Sequence, residues 1–303
     1  MSLPRFLNPH TWLGVLDRRA LQREWRRVAS WAHRLDRNLV IADVGCRWGL
    51  ADTWTSLGKR ATVIGFDPDE AECQRLQAGY RGPCDVRFVP RALGASAGTT
   101  ELHITKDPAC SSVFEPDPAI TSLMPELDCA KPVRTATVAL GTMDAYAREQ
   151  GLAHMDYMKL DTQGSELMVL QGAEECLKTT RALEIEVEFN PIYRGQPLFK
   201  DVDEFLRQRG FVLWRLKDLI HCRSRHASID FPVVDRHVYS PEVVRIPARG
   251  GQLMWAHAYY VKDDLAAFRP PANPQAALRD ACLMRLLGFR DLSDFCFSHA
   301  AVG

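Results

Sequence analysis

The chain has 303 residues, 46% hydrophobic and 25% charged, enough for one sizeable core with appendages. Lys+Arg and Asp+Glu are both 38, so the formal net charge is zero, which argues against a nucleic-acid partner, since such proteins carry a strong basic excess. Nine cysteines form no CxxC pair, no apolar run approaches the roughly 20 residues of a bilayer span, and the N-terminus has no signal-peptide core. Scattered thiols of this kind suit a reducing compartment, and a cytoplasmic location is expected.

Residues 1–37 read as a basic helical extension. Trp12, Leu16, Leu21, Trp25, Val28, Trp31 and Leu35 form a loose helical stripe, with Arg18, Arg19, Arg23, Arg26 and Arg27 between them. Two roles suit such a segment: a helix packed across a sheet edge, or a peripheral contact with an anionic membrane face.

From Leu39 the pattern alternates between strand and helix. Strands are expected at Leu39–Val44, Ala61–Phe66 and Val86–Val89, and helices at Leu50–Leu57 and Glu70–Tyr80. That is a βαβαβ half with parallel strands and right-handed crossovers. Thr99–Thr105 and Val133–Leu140 alternate at period two and read as extra strands. Between them lie Pro108, Pro116, Pro118, Pro125 and Pro132, which predict a loop over the site, because Pro breaks helices and central strands. Tyr157–Leu160 and Leu183–Phe189 follow as strands around a helix at Ser165–Leu177. Val202–Arg209 reads as a helix closed by Gly210, and Phe211–Leu216 and Met254–Val261 as late strands around an irregular Lys217–Gly251. Residues 264–303 are expected to be a helical extension, which leaves a domain over 38–263.

Three features of this pattern point to an adenosine-type ligand. Asp43, Gly45 and Gly49 sit at a strand-to-helix turn, where glycine lets backbone approach a ligand. A dinucleotide loop would read GxGxxG. Here the first position is an acid, which repels phosphate and suits the ammonium of an amino-acid moiety, so S-adenosylmethionine fits better than NAD. Asp67 ends the next strand and can accept from both ribose hydroxyls; it also suits a helix cap. Ala92, beside Arg91 and Leu93, leaves room for an adenine ring.

Lys159 and Asp161 point to one side of their strand, and Glu184, Glu186 and Glu188 share one face of the next. Three acids on one face of a central strand are costly unless paired or at a cleft. His221, Cys222, His226, His237 and His257 match no standard zinc spacing, and no GxSxG elbow suggests a hydrolase.

The run from Lys159 to Ala173 (KLDTQGSELMVLQGA) and that from Glu186 to Phe199 (EVEFNPIYRGQPLF) resemble the FkbM family of S-adenosylmethionine-dependent methyltransferases. The resemblance spans roughly residues 39–263. It implies an α/β fold, a Rossmann-like seven-stranded class I methyltransferase sheet whose last strand, Met254–Val261, is reversed, with helical N- and C-terminal extensions. It implies cofactor contacts for Asp43, Gly45, Gly49 and Asp67, and O-methylation of a sugar, glycolipid or secondary metabolite, so the expected partner is a small-molecule or glycan acceptor. The final strand departs from the pattern, with His257 where many relatives place an acid. A carboxylate that accepts the hydroxyl proton contributes roughly 10²–10⁴-fold; Asp161 and Glu186 are the two candidates, with Lys159 holding one of them ionised. The rival classes are an NAD- or nucleotide-sugar-binding Rossmann oxidoreductase and a non-catalytic protein on the same fold.

Overall fold

The computed structural model describes residues 22–224, 233–236, 245–248 and 251–300. The expected contributions of Trp12, Leu16, Leu21, Arg18 and Arg19 lie outside these residues, as do His226 and His237.

The core is one seven-stranded sheet. Its strands are β1 (Leu39–Val44), β2 (Ala61–Asp67), β3 (Asp85–Pro90), β7 (Tyr157–Leu160), β8 (Ala182–Glu188), β9 (Phe211–Cys222) and β12 (Gln252–Lys262), in the order β3-β2-β1-β7-β8-β12-β9. All neighbours pair in parallel except β12, which runs antiparallel to both β8 and β9. The order reverses between β1 and β7, the point where open α/β sheets leave a crevice at the strands' carboxyl ends.

Alternate residues serve the two faces. Ala42, Val44, Ile64, Phe66, Met158, Leu160, Leu183, Ile185 and Val187 pack under α4 (Met143–Glu149), α5 (Glu166–Gln171), α6 (Glu174–Thr179) and α7 (Phe199–Arg207). The other face begins equally apolar, with Leu39, Ile41, Tyr157, Ala182 and Val261. It then changes character toward the carboxyl edge, where Asp43, Lys159 and Glu184 sit in one row across three strands. The sequence thus builds a greasy floor and a charged upper rim on a single face.

The N-terminal helix over residues 22–32 joins that same face. Val28, Trp31, Ala32 and Leu35 are buried in it, together with α9 (Pro274–Leu286) and α10 (Arg290–His299). Trp31 stacks on Phe297 with ring centroids 4.2 Å apart. Arg23, Arg26 and Arg27 remain exposed. Among the described residues no helix is long and apolar enough to cross a membrane.

A second sheet lies over the carboxyl edge. It has β4 (Ala92–Leu93), β5 (Gly98–Thr105) and β6 (Pro132–Gly141), in the order β4-β6-β5. The proline-rich segment between β5 and β6 is not a plain loop. It forms three short helical turns, Pro108–Cys110, α3 (Pro118–Thr121) and Pro125–Ala130. Each starts on a proline, which suits the first helical position because its missing N–H would be unpaired there anyway. Asp107 and Asp117 cap two of them, accepting from Ala109 and Ala119 at 3.0 and 2.9 Å.

Other elements also differ from the sequence reading. The helix expected over Leu50–Leu57 is a 3-10 stretch, Asp52–Arg60, interrupted where Gly58 takes φ +54°. The helix expected over Ser165–Leu177 is two, α5 and α6, with the break at Gly172. The helix before β9 begins one turn early, since Asp201 accepts from the Leu198 N–H at 2.9 Å. The irregular Lys217–Gly251 contains the end of β9, drawn out by pairing with β12, and a two-stranded ladder of β10 (Val233–Arg236) with β11 (Arg245–Ala248).

Candidate active site

A cavity of about 910 Å³ opens at the carboxyl edge of the large sheet, between it and the small sheet. Gly45, Asp67, Ala92, Asp161 and Glu186 all line it. Asp43 and Gly49, also expected at the ligand, are not among the residues that line it. Asp43 is buried beneath the site, with Lys159 Nζ at 3.5 Å. Burial pushes its carboxyl up to about 6 despite the nearby ammonium. Asp43 therefore supports the site from below through Lys159.

The loop after β1 owes its shape to a close approach. Gly45 has φ +87°, and a Cβ there would stand 1.9 Å from the Asp161 carbonyl oxygen. The Gly45 and Cys46 amides both donate to the Phe66 carbonyl, at 2.9 and 3.2 Å, and Gly49 N–H donates to Cys46. These three amides have protein acceptors, so they form no nest for a diphosphate. That removes the physical basis of the dinucleotide reading.

Asp67 stands at the end of β2. Its Oδ1 accepts from the Asp69 N–H at 2.8 Å, and Arg47 approaches the same oxygen at 3.7 Å. Burial raises its pKa, against those two contacts. Helix capping falls to Asp69, which accepts from Glu72 N–H and pairs with Arg47 at 3.0 Å. Arg47 thus braces the acid pair Asp67 and Asp69.

Beyond Asp161 the chain turns through Gln163, which takes the left-handed φ of +59°. That turn brings its amide between two acids. Nε2 donates to Asp161 at 3.0 Å and to Glu186 at 2.5 Å. These two donations turn the amide NH₂ toward the carboxyls and leave Oε1 3.1 Å from the Tyr193 hydroxyl. The same hydroxyl lies closer to the Cys110 carbonyl, at 2.8 Å, so its single proton is divided between the two acceptors. Neither Gln163 nor Tyr193 was singled out from the sequence, although both lie inside the two motif runs.

The two acids differ in charge state. Burial alone would raise Asp161, but Lys159 at 3.4 Å, Gln163 and a hydrogen bond from Glu186 hold it below the usual carboxylate range. Glu186 is pushed well up by burial and by Asp161, Glu188 and Glu166 around it. The surroundings thus favour the charge on Asp161 and the proton on Glu186. Glu184 is otherwise occupied, accepting from the Tyr157 hydroxyl at 2.7 Å with His257 Nδ1 3.5 Å away. Glu188 lines the cavity and is likewise raised by burial. Glu166 accepts from the Thr162 and Gly164 amides at 2.5 and 3.0 Å and ties down the turn that carries Gln163. Among the described residues no cluster of His, Cys, Asp and Glu is arranged to hold a metal.

A family model described as the methyltransferase FkbM domain matches residues 43–213. The chain belongs to the FkbM methyltransferase family. It is thus an S-adenosylmethionine-dependent methyltransferase. The match begins at Asp43, beneath the glycine turn, and runs through both motif runs into β9. The chain is 28% identical over 192 residues to the 2-O-methyltransferase NoeI of Sinorhizobium fredii (strain NBRC 101917 / NGR234), covering 58% of this chain and 79% of that protein. Among solved structures it is similar to magnesium protoporphyrin IX methyltransferase of Synechocystis PCC 6803 with bound S-adenosylmethionine, at 14% identity and TM-score 0.30, over 80% of this chain and 79% of that one. It is also similar to a TehB-like methyltransferase of Corynebacterium glutamicum ATCC 13032, at 13% identity and TM-score 0.31, over 84% and 100%.

Proposed function

We propose that this FkbM methyltransferase methylates a hydroxyl oxygen of a saccharide-bearing acceptor, with Asp161 taking the hydroxyl proton. The observation that carries the reading is the Asp161 carboxylate, kept ionised by Lys159 and Gln163 at the wall of the cavity. The relative NoeI bears the name of a 2-O-methyltransferase, which supports oxygen as the acceptor atom.

The cavity's residues fit the methyl donor. Asp67 would accept from the ribose hydroxyls, and Ala92 and Leu93 would flank the adenine. Gly45 would let the backbone come close to the amino-acid end. The bound donor supplies a methyl group already activated on sulfonium sulfur. Alignment of the acceptor is then the protein's main task, and alignment can contribute several kcal/mol. A sugar hydroxyl is too weak an acid to be deprotonated beforehand. Asp161 takes its proton as the new C–O bond forms. Glu186, protonated, donates to Asp161 and keeps that carboxylate oriented. Trp48, 76% exposed at the cavity wall, offers a flat ring to the apolar face of a sugar.

The test is methyl transfer from labelled S-adenosylmethionine into a panel of oligosaccharides, glycolipids and amine analogues. Label released from the product as an O-methyl sugar supports the reading. Transfer to the amines alone would replace oxygen with nitrogen as the acceptor.

A further inference from the structure

Seven of the nine cysteines are buried, and burial raises the thiol pKa of each. Cys110 and Cys129 are the exceptions. Both are half-buried, and both line the cavity. Cys110 ends the turn Pro108–Cys110 and Cys129 lies in the turn Pro125–Ala130, so 19 positions of sequence separate them. Their backbones are clipped together: the Asp107 N–H donates to the Cys129 carbonyl at 3.0 Å, and Lys106 N–H to the Lys131 carbonyl at 2.8 Å. The Lys106 ammonium adds an ion pair to Asp128 at 2.7 Å. Within that frame the Cys129 thiol donates to the Glu126 carbonyl at 3.6 Å, and the two thiols influence each other, Cys110 being pushed up and Cys129 down.

We propose that Cys110 and Cys129 are a thiol-modification site in the cavity wall, which reacts with low-molecular-weight disulfides and closes to an intramolecular disulfide. Cys129 is the attacking group. The neighbouring Cys110 lowers its thiol to about 7, which favours the thiolate as nucleophile. The Cys129 thiolate attacks one sulfur of RSSR, forming a mixed disulfide and expelling RS⁻. That thiolate takes the Cys110 proton. Cys110 then attacks the Cys129 sulfur and expels the second RS⁻, which is protonated by water. The protein dithiol is oxidised by two electrons and RSSR is reduced to two RSH.

Closure would set the two sulfurs about 2 Å apart. It ties together the two turns that wall the cavity. The pull also reaches the acids, because the Tyr193 hydroxyl lies between the Cys110 carbonyl and Gln163 Oε1, at 2.8 and 3.1 Å. The site goes beyond methyl transfer, and its readout is sulfur chemistry alone, independent of any acceptor.

The experiment treats the full-length protein with oxidised glutathione at pH 7.5, followed by a denaturing alkylating quench and peptide mass mapping. The expected product is a single Cys110–Cys129 disulfide, reversed by dithiothreitol, with the other seven cysteines alkylated. In Cys110→Ser the reaction should stop as a stable glutathione adduct on Cys129. Lowering the pH to 5.5 should slow closure of the unmodified chain by roughly tenfold or more, as the thiolate is lost. Recovery of both thiols free, a lasting glutathione adduct on the unmodified chain, or a disulfide through any other cysteine would overturn the proposal.

Discussion

The carboxyls of Asp161 and Glu186 share one donor, the side-chain nitrogen of Gln163, at 3.0 and 2.5 Å. Their surroundings make the two acids unequal, since burial pushes Glu186 up while Lys159 and Gln163 hold Asp161 down. Asp161→Asn removes the anion and should lower turnover by roughly 10²–10⁴-fold. Glu186→Gln replaces a protonated carboxyl with a neutral isostere and should cost less than tenfold. Turnover and S-adenosylhomocysteine affinity, measured separately, check this ordering. Equal losses in the two variants would refute the assignment of roles.

The Tyr193 hydroxyl lies 3.1 Å from Gln163 Oε1, at the end of the amide turned away from the acids. Tyr193→Phe should therefore lower kcat several-fold while leaving cofactor affinity within twofold. Steady-state kinetics with calorimetry separates the two. A shift in affinity alone would mean that Tyr193 shapes the cavity rather than the amide.

Gly45 and Gly49 have similar backbones, with φ of +87° and +91°, but different surroundings. Gly45→Ala meets the Asp161 carbonyl, whereas a Cβ at Gly49 has only Leu76 at 3.6 Å. Gly49→Ala should cost the left-handed penalty alone, roughly 1–2 kcal/mol. Gly45→Ala should cost clearly more and weaken S-adenosylmethionine binding as well. Chemical denaturation of both variants tests the contrast.

Glu166 makes stability depend on pH. Its ordinary pKa of 4.5 rises to about 7 in the fold, through burial. Between those values the unfolded chain releases a proton that the folded chain keeps, so stability falls as pH rises, and the fall is complete above about pH 7. The size of this contribution is at most about 3 kcal/mol. Glu166→Gln should flatten the urea midpoint between pH 5 and 8. An unchanged slope would place the titration on Asp43, Glu186 or Glu188.

The sheet was legible because burial on both faces writes itself as apolar runs, as in Leu39–Val44 and Ala61–Phe66. That Gly45, Asp67, Ala92, Asp161 and Glu186 would line one cavity was legible because strand ends and turn glycines gather at one sheet edge. Asp43 was placed one layer too high: the sequence shows an acid at a strand end but not that Lys159 would cover it. The Ser165–Leu177 helix was read as continuous because its apolar spacing runs on through Gly172. The break comes from packing, since a Cβ at Gly172 would stand 2.1 Å from the Gly94 carbonyl. Gln163 and Tyr193 carry no local signal, because their roles arise from contacts 30 residues apart.

Trp31 tests the packing role of the N-terminal helix. It stacks on Phe297 with Arg285 5.5 Å from its ring. Trp31→Ala should cost about 3–5 kcal/mol of stability, read as a lower denaturation midpoint. A midpoint unchanged from wild type would leave that helix without a structural role.

The antiparallel strand β12 pairs with β8 on one side and β9 on the other. A ribosome making this chain therefore releases Glu186 and its strand some 70 residues before the neighbour that flanks them. Until β12 inserts, β8 is an open edge with apolar residues, the kind of edge on which nascent chains aggregate. Chaperone demand should accordingly peak late in synthesis, and any deletion reaching into Gln252–Lys262 should yield insoluble protein rather than a weakened enzyme.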